Sequence, residues 1–100
     1  MKTTNLIPLE QFCENYNVEI TFINSLDDYG LIEIVRIEKN SFIQPEQLRD
    51  IEKMVRLHYD LQINIEGIEA ISHLLNRVNN LQEELNILKN KLHSREWDEF

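Results

Sequence analysis

Apolar positions along this chain change period several times, and each change marks an element. Leu6-Ile7-Pro8-Leu9 suits a short edge strand or extended lead-in, because Pro8 has no N–H to give to a ladder. Leu9, Phe12, Cys13 and Tyr16 follow at i, i+3, i+4 and i+7, which is the inward face of a first helix. Asn17 ends it, since Asn tolerates the left-handed conformation. A second helix over 19–29 turns Phe22, Ile23, Leu26 and Tyr29 inward, and Gly30 stands where a C-terminal glycine belongs. Two short helices joined by a tight turn make a helix-turn-helix candidate over about 9–30.

From Leu31 to Ile43 the apolar residues become β-branched: Ile32, Ile34, Val35, Ile37 and Ile43, with Phe42. Their alternation slips at Ile34–Val35, which predicts a bulge or a change of face. Lys39, Asn40 and Ser41 read as a hairpin tip, so 31–43 is the size of a small wing. Pro45 opens a third helix over about 45–61, with Leu48, Ile51, Met54, Val55 and Leu61 as its inner stripe. His58 and Tyr59 fall near its end, and Asn64 is a good N-cap for a fourth helix starting at Ile65.

The fourth helix carries the strongest periodicity. Ile71, Leu74, Val78, Leu81, Leu85, Leu88 and Leu92 alternate spacings of three and four without a miss, the a and d positions of heptads. At ~1.5 Å per residue this stripe runs about 33 Å. Such a length exceeds what a core this small covers, so the stripe predicts self-association, a homodimer through these residues. In a parallel pair Glu84 would face Lys89 of the other chain, an attraction too small to choose between parallel and antiparallel pairing.

Composition narrows the classes that fit. One hundred residues make one small domain, with 42% hydrophobic and 28% charged residues and a formal charge of −8. That acidity opposes an overall attraction to nucleic acid or anionic lipid. A lone cysteine, Cys13, allows no internal disulfide and reads as a small buried thiol. Met1 to Leu6 has neither the apolar run nor the cleavage site of a secretory signal, and no stretch approaches a membrane span, so a cytoplasmic protein is expected.

Several segments together resemble a known family. The order short strand, helix-turn-helix, two-stranded wing, helix and long heptad helix is that of MerR-type winged-helix proteins. Phe42-Ile43-Gln44-Pro45-Glu46-Gln47-Leu48 is similar to the lead-in of that family's third helix. Arg56-Leu57-His58-Tyr59-Asp60-Leu61, then Gln62-Ile63-Asn64-Ile65-Glu66-Gly67-Ile68, is similar to its link to the next helix. Within that superfamily, Gln11-Phe12-Cys13, Tyr29-Gly30-Leu31-Ile32-Glu33 and the Leu-rich end resemble the CbpM-like chaperone modulators over residues 6–92. Asn17 and Glu19 stand where that family often has a turn glycine and a hydroxyl N-cap.

The resemblance implies a mostly α fold: a MerR-like winged helix-turn-helix over 1–64 with a small β-hairpin wing. A long coiled-coil-like dimerisation helix over 65–93 and a tail over 94–100 would follow. It also implies binding to the J-domain of a CbpA/DnaJ-like co-chaperone, restraining its work with a DnaK-type chaperone and its binding to DNA. No cofactor is implied. The alternative is a MerR-type DNA-binding transcription regulator, and a third possibility is an adaptor with an unrelated partner.

Charge placement bears on that choice independently. Residues 3–35 hold Glu10, Glu14, Glu19, Asp27, Asp28 and Glu33 and no Lys or Arg, where a DNA reader needs cations. Thr21, Asn24 and Ser25 offer polar contacts to bases but no phosphate anchors, and Arg36 and Lys39 are the nearby bases. Glu14, Glu19, Asp27 and Asp28 are therefore the candidate contacts to a basic protein partner, and direct nucleic-acid binding is not expected.

Catalysis finds no support in the sequence. His58, His73 and His93 are isolated, no paired cysteines or Gly-rich phosphate loop occurs, and the adjacent acids Asp27-Asp28 and Glu83-Glu84 point apart. Ser94-Arg95-Glu96-Trp97-Asp98-Glu99-Phe100 reads as a frayed tail with two aromatics, the alternative being a helical extension across a dimer.

Overall fold

A computed structural model describes residues 5–98, with side chains through Ser94. The chain divides into a first unit ending at Glu69 and a second beginning at Ala70. The expected division at 64/65 thus moves into the fourth helix, because that helix's first turn belongs to the first core: Ile68 is fully buried and Ile65 packs against the same cluster.

In the first unit, strand β1 (Ile7–Pro8) leads into helix α1 (Leu9–Tyr16), followed by α2 (Ile20–Asp28). Strands β2 (Ile34–Ile37) and β3 (Asn40–Ile43) form the wing. A 3₁₀ turn (Pro45–Gln47) precedes α3 (Leu48–Tyr59), and α4 runs from Ile65 to Asp98. The sheet is antiparallel in the order β1-β3-β2. Pro8 therefore sits on an edge strand, where its missing N–H costs nothing.

The helix ends follow the local chemistry. Asn17 adopts φ 56°, ψ 50° as the left-handed cap of α1, and the Val18 N–H closes back on the Cys13 carbonyl at 2.9 Å. After α2, Gly30 has φ 76° and the Leu31 N–H reaches the Leu26 carbonyl at 2.9 Å, the same closure. Asn64 caps α4 by accepting the Gly67 N–H on its side-chain oxygen at 2.8 Å.

Leu9, Phe12 and Cys13 of α1, Phe22, Ile23 and Leu26 of α2, and Ile51 and Met54 of α3 form one core with Ile32, Ile34, Ile43 and Ile68. Three residues expected to face inward do not. Tyr16 stays 42% exposed, stacked on Phe12 with ring centroids 4.4 Å apart. Tyr29, also about two-fifths exposed, caps α2 and donates its hydroxyl to Glu66 at 3.1 Å. Each hydroxyl ends at a surface carboxylate, so the apolar period carries these residues only part of the way in. Leu61 is exposed because α3 ends at Tyr59, before the expected limit of 61, and Gln62 turns the chain with φ 58°.

The wing also differs in detail. Its register pairs Ile34 with Ile43, Val35 with Phe42, Arg36 with Ser41 and Ile37 with Asn40, a regular ladder without a bulge. Ile32 and Ile34 face the core while half-buried Val35 and exposed Ile37 lie on the other face, so the slip in the pattern is apolar residues on the outer face. The tip is the two-residue turn Glu38–Lys39, with Glu38 at φ 57°, and not Lys39–Ser41, because Asn40 already pairs in the ladder.

Gly67 is the tightest backbone position. A Cβ there would lie 2.6 Å from Ile63 Cγ2 and 3.1 Å from the capping Asn64 Oδ1. Gly67→Ala is expected to destabilise the first unit by about 1–3 kcal/mol, through overpacking at the start of α4. A urea titration followed by circular dichroism reads this as a lower midpoint.

The rest of α4 is a single helix bearing the heptad stripe. Leu74, Val78, Leu81, Leu85, Leu88 and Leu92 are 45–63% exposed and Ile71 is half-buried. No proline or glycine stands between Ile68 and Asp98, so the helical backbone passes the expected limit of 93 into the stretch read as a tail. Trp97 is on that helix, and Phe100 lies outside the described residues.

Candidate partner-binding surface

The helix-turn-helix carries the candidate acids, and the structure separates them. Glu14 on α1, Glu19 at the N-terminus of α2 and Asp28 at its end are exposed, as is Glu10 in the first turn of α1. Asp27 is different: it accepts a hydrogen bond from Arg36 at 3.0 Å in an ion pair, with its side chain only 19% exposed. Asp27 thus consumes one of the wing's cations and ties β2 to α2 instead of presenting a free charge.

Glu19 shapes the start of α2 through its backbone. It is extended at φ −76°, ψ 138°, its side chain makes no cap, and its N–H donates to the Tyr59 hydroxyl at 3.0 Å. Tyr59 in turn packs edge-on to Phe22 and to His58, while the His58 ring stacks on Phe22 at 4.3 Å. His58 Nδ1 lies 3.0 Å from the Ile63 carbonyl, which makes this histidine a packing and turn-closing residue. Ser25, one of the polar residues that a DNA-reading helix would turn to bases, gives its hydroxyl to the Thr21 carbonyl of its own helix at 2.9 Å.

Titratable groups here serve the fold. Burial pushes the Cys13 thiol up, away from a reactive thiolate. The hydroxyl of Tyr16 donates to Glu52, and that hydrogen bond, with smaller contributions from desolvation and the Glu52 charge, raises its pKa. Glu66 does the same to Tyr29. Both bonds need the protonated phenol, so they hold below the unfolded phenol's range near 10 and are lost only as pH rises through the raised values. No group of three or more His, Cys, Asp and Glu residues placed to hold a metal occurs among the described residues.

Two further features of the surface lie outside the candidate acids. A cleft of about 380 Å³ opens between α2 and the wing, lined by Pro8, Leu9 and Glu10, by Ile20 and Asn24, and by Lys39 to Phe42. On α3, exposed Arg49, Lys53 and Arg56 follow at i, i+4 and i+7, a cationic stripe that attention to the helix-turn-helix alone passes over. The net charge also partitions: residues 1–69 hold thirteen acids and six bases, and residues 70–100 five acids and four bases, so −7 of the −8 lies in the first stretch.

A helix-turn-helix followed by a two-stranded wing, a third helix and a long fourth helix defines a winged helix-turn-helix protein. A family model described as MerR HTH family regulatory protein matches residues 7–90, and the chain belongs to that family. No curated protein and no solved structure matches it significantly. Among the described residues no helix is long and apolar enough to cross a membrane.

Proposed function

We propose that this MerR-family chain is a non-catalytic cytoplasmic chaperone modulator. It binds the J-domain of a CbpA/DnaJ-like co-chaperone through its helix-turn-helix face. The observation that carries this reading is the charge of that face. α1, α2 and the turn between them hold no Lys or Arg, four acids there stand exposed, and Arg36 of the wing is neutralised by Asp27. Phosphates would be repelled there, whereas the Lys/Arg-rich helix of a J-domain would be steered in. That helix leads to the His-Pro-Asp loop which the DnaK-type chaperone must reach, so occupation of it inhibits by competition. The exposed stripe from Ile71 to Leu92 pairs with a second copy of the chain in this reading.

A second reading rests on the α3 stripe. Arg49, Lys53 and Arg56 are exposed and in no ion pair among the described residues, which favours phosphate contacts of a DNA-binding regulator. Charge reversal separates the two. Asp28→Lys is expected to weaken J-domain binding by about threefold to tenfold at low salt and to flatten its salt dependence. Titration calorimetry with the isolated J-domain reads both, beside a duplex-DNA shift assay. Unchanged affinity for the J-domain removes Asp28 from the interface. A shifted duplex without J-domain binding replaces this reading with the regulator.

A further inference from the structure

α3 presents a cationic face inside an acidic unit. Arg49, Lys53 and Arg56 are exposed, and spacings of four and then three residues stack them on one side of the helix. They are three of the six bases that residues 1–69 set against thirteen acids. None of the three is in an ion pair among the described residues. Glu52 stands one turn before Arg56, but its carboxylate accepts the Tyr16 hydroxyl. Asp27, the acid that does pair, holds Arg36 of the wing. Three outward charges are thus left on α3, with one ring beside them: Tyr16, bonded to Glu52 on the flank of the stripe, is 42% exposed.

We infer that this face of α3 docks a short acidic helix of another protein, its carboxylates spaced as the stripe is and an apolar side chain beside them packed on the Tyr16 ring. Charge complementarity selects an anion, and the length of the stripe selects its kind. From Arg49 to Arg56 the helix rises about 10 Å. Exposed Glu46 stands before the stripe and exposed Asp60 after it. A nucleic-acid strand carries its phosphates on past both ends and would meet those acids. A helix confines its carboxylates to two turns, and its rise of ~6 Å over four residues and ~4.5 Å over three matches the stripe charge for charge. Alternate residues of an extended strand, about 6.6 Å apart, fall out of step with it. The aliphatic stems of the three cations cover apolar surface of the docked helix while their heads pair. The stripe lies on a different helix from Glu14, Glu19 and Asp28, so the inference stands whatever those acids bind. With both surfaces occupied, the chain links a basic protein to an acidic one.

The test titrates the isotopically labelled full chain with an alanine-based helical peptide of about sixteen residues. The peptide carries Glu at i, i+3 and i+7, the spacing of the stripe met antiparallel, and a leucine on the adjoining flank. At ~0.1 M salt, where the Debye length is ~10 Å, the backbone amides of 49–56 are expected to shift saturably in nuclear magnetic resonance spectra. The shifts are expected to fade toward ~1 M salt and to be absent with Gln at the three Glu positions. Lys53→Glu is expected to weaken the Glu peptide by about fivefold or more. Lys39→Glu makes the same change of net charge on the wing turn and is expected to bind within twofold of the unaltered chain. Both positions are exposed, and thermal melts confirm folding; if Lys53→Glu melts early, Arg49→Gln takes its place. Equal weakening by Lys39→Glu reduces the effect to overall charge and overturns the site, as does a Glu peptide that shifts no amide of α3. An oligonucleotide bound more tightly than the peptide, and lost with Lys53→Glu, gives the stripe to phosphates and overturns the proposed occupant.

Discussion

Leu81→Lys is expected to weaken self-association by about a hundredfold or more while leaving the helix intact. In a single chain Leu81 is 58% exposed on α4, so the substitution removes no intrachain packing of consequence and lysine keeps a good helix propensity. In a two-stranded pair each copy would lose one buried leucine worth about 1.5–3 kcal/mol. Two copies lose about 3–6 kcal/mol, and ~1.4 kcal/mol is a factor of ten, so the dissociation constant rises by roughly two to four orders of magnitude. Sedimentation equilibrium measures this directly, and far-ultraviolet circular dichroism checks that helicity survives. An unaltered chain that sediments as a monomer at high concentration would show that the stripe serves something other than a second copy.

Ile51→Ala carries the largest expected cost to the first unit, about 2–5 kcal/mol. Ile51 is fully buried on α3, in the same cluster as Phe12, Ile23, Leu26 and Ile68. A core of this size supports a stability near the lower end of ~5–15 kcal/mol, so the variant stands close to unfolding at room temperature. Leu61→Ala is the matched comparison. The sequence pattern places Leu61 in the same inner stripe, yet it is 64% exposed, and its truncation is expected to stay within about 0.5 kcal/mol. Urea denaturation of both variants separates the two positions. Equal losses would put Leu61 back in the core.

The contrast between Ile51 and Leu61 shows what local pattern can and cannot decide. Helix ends were legible because they depend on single residues: Asn17 and Gly30 reach left-handed φ, and the Asn64 side chain caps α4. The buried faces of α1 and α2 were legible from the helical period of Leu9, Phe12 and Cys13 and of Phe22, Ile23 and Leu26, apart from the aromatic residues that follow them. Tyr16 and Tyr29 fit the apolar period but stop half-exposed, because their hydroxyls are held by Glu52 and Glu66, which lie 36 and 37 residues away along the chain. No window of sequence contains those partners.

The candidate site was legible only as a charge imbalance. Composition marks the helix-turn-helix as acidic, but it cannot show that Asp27 is occupied by Arg36 while Glu14, Glu19 and Asp28 are exposed. The cleft joins Pro8, Ile20 and Phe42, which come from β1, α2 and β3 and meet only after the sheet has formed. The α3 stripe is present in the sequence as Arg49, Lys53 and Arg56, and the i, i+4, i+7 spacing was its available signal.

We propose that this MerR-family fold directs an acidic helix-turn-helix toward a basic protein surface. Its most direct test is a titration of the full chain into an isolated CbpA-type J-domain at low and at high salt, beside the same titration into duplex DNA. Saturable J-domain binding that weakens as salt rises is expected, with no comparable affinity for the duplex. Saturable binding to duplex DNA with none to the J-domain would contradict it.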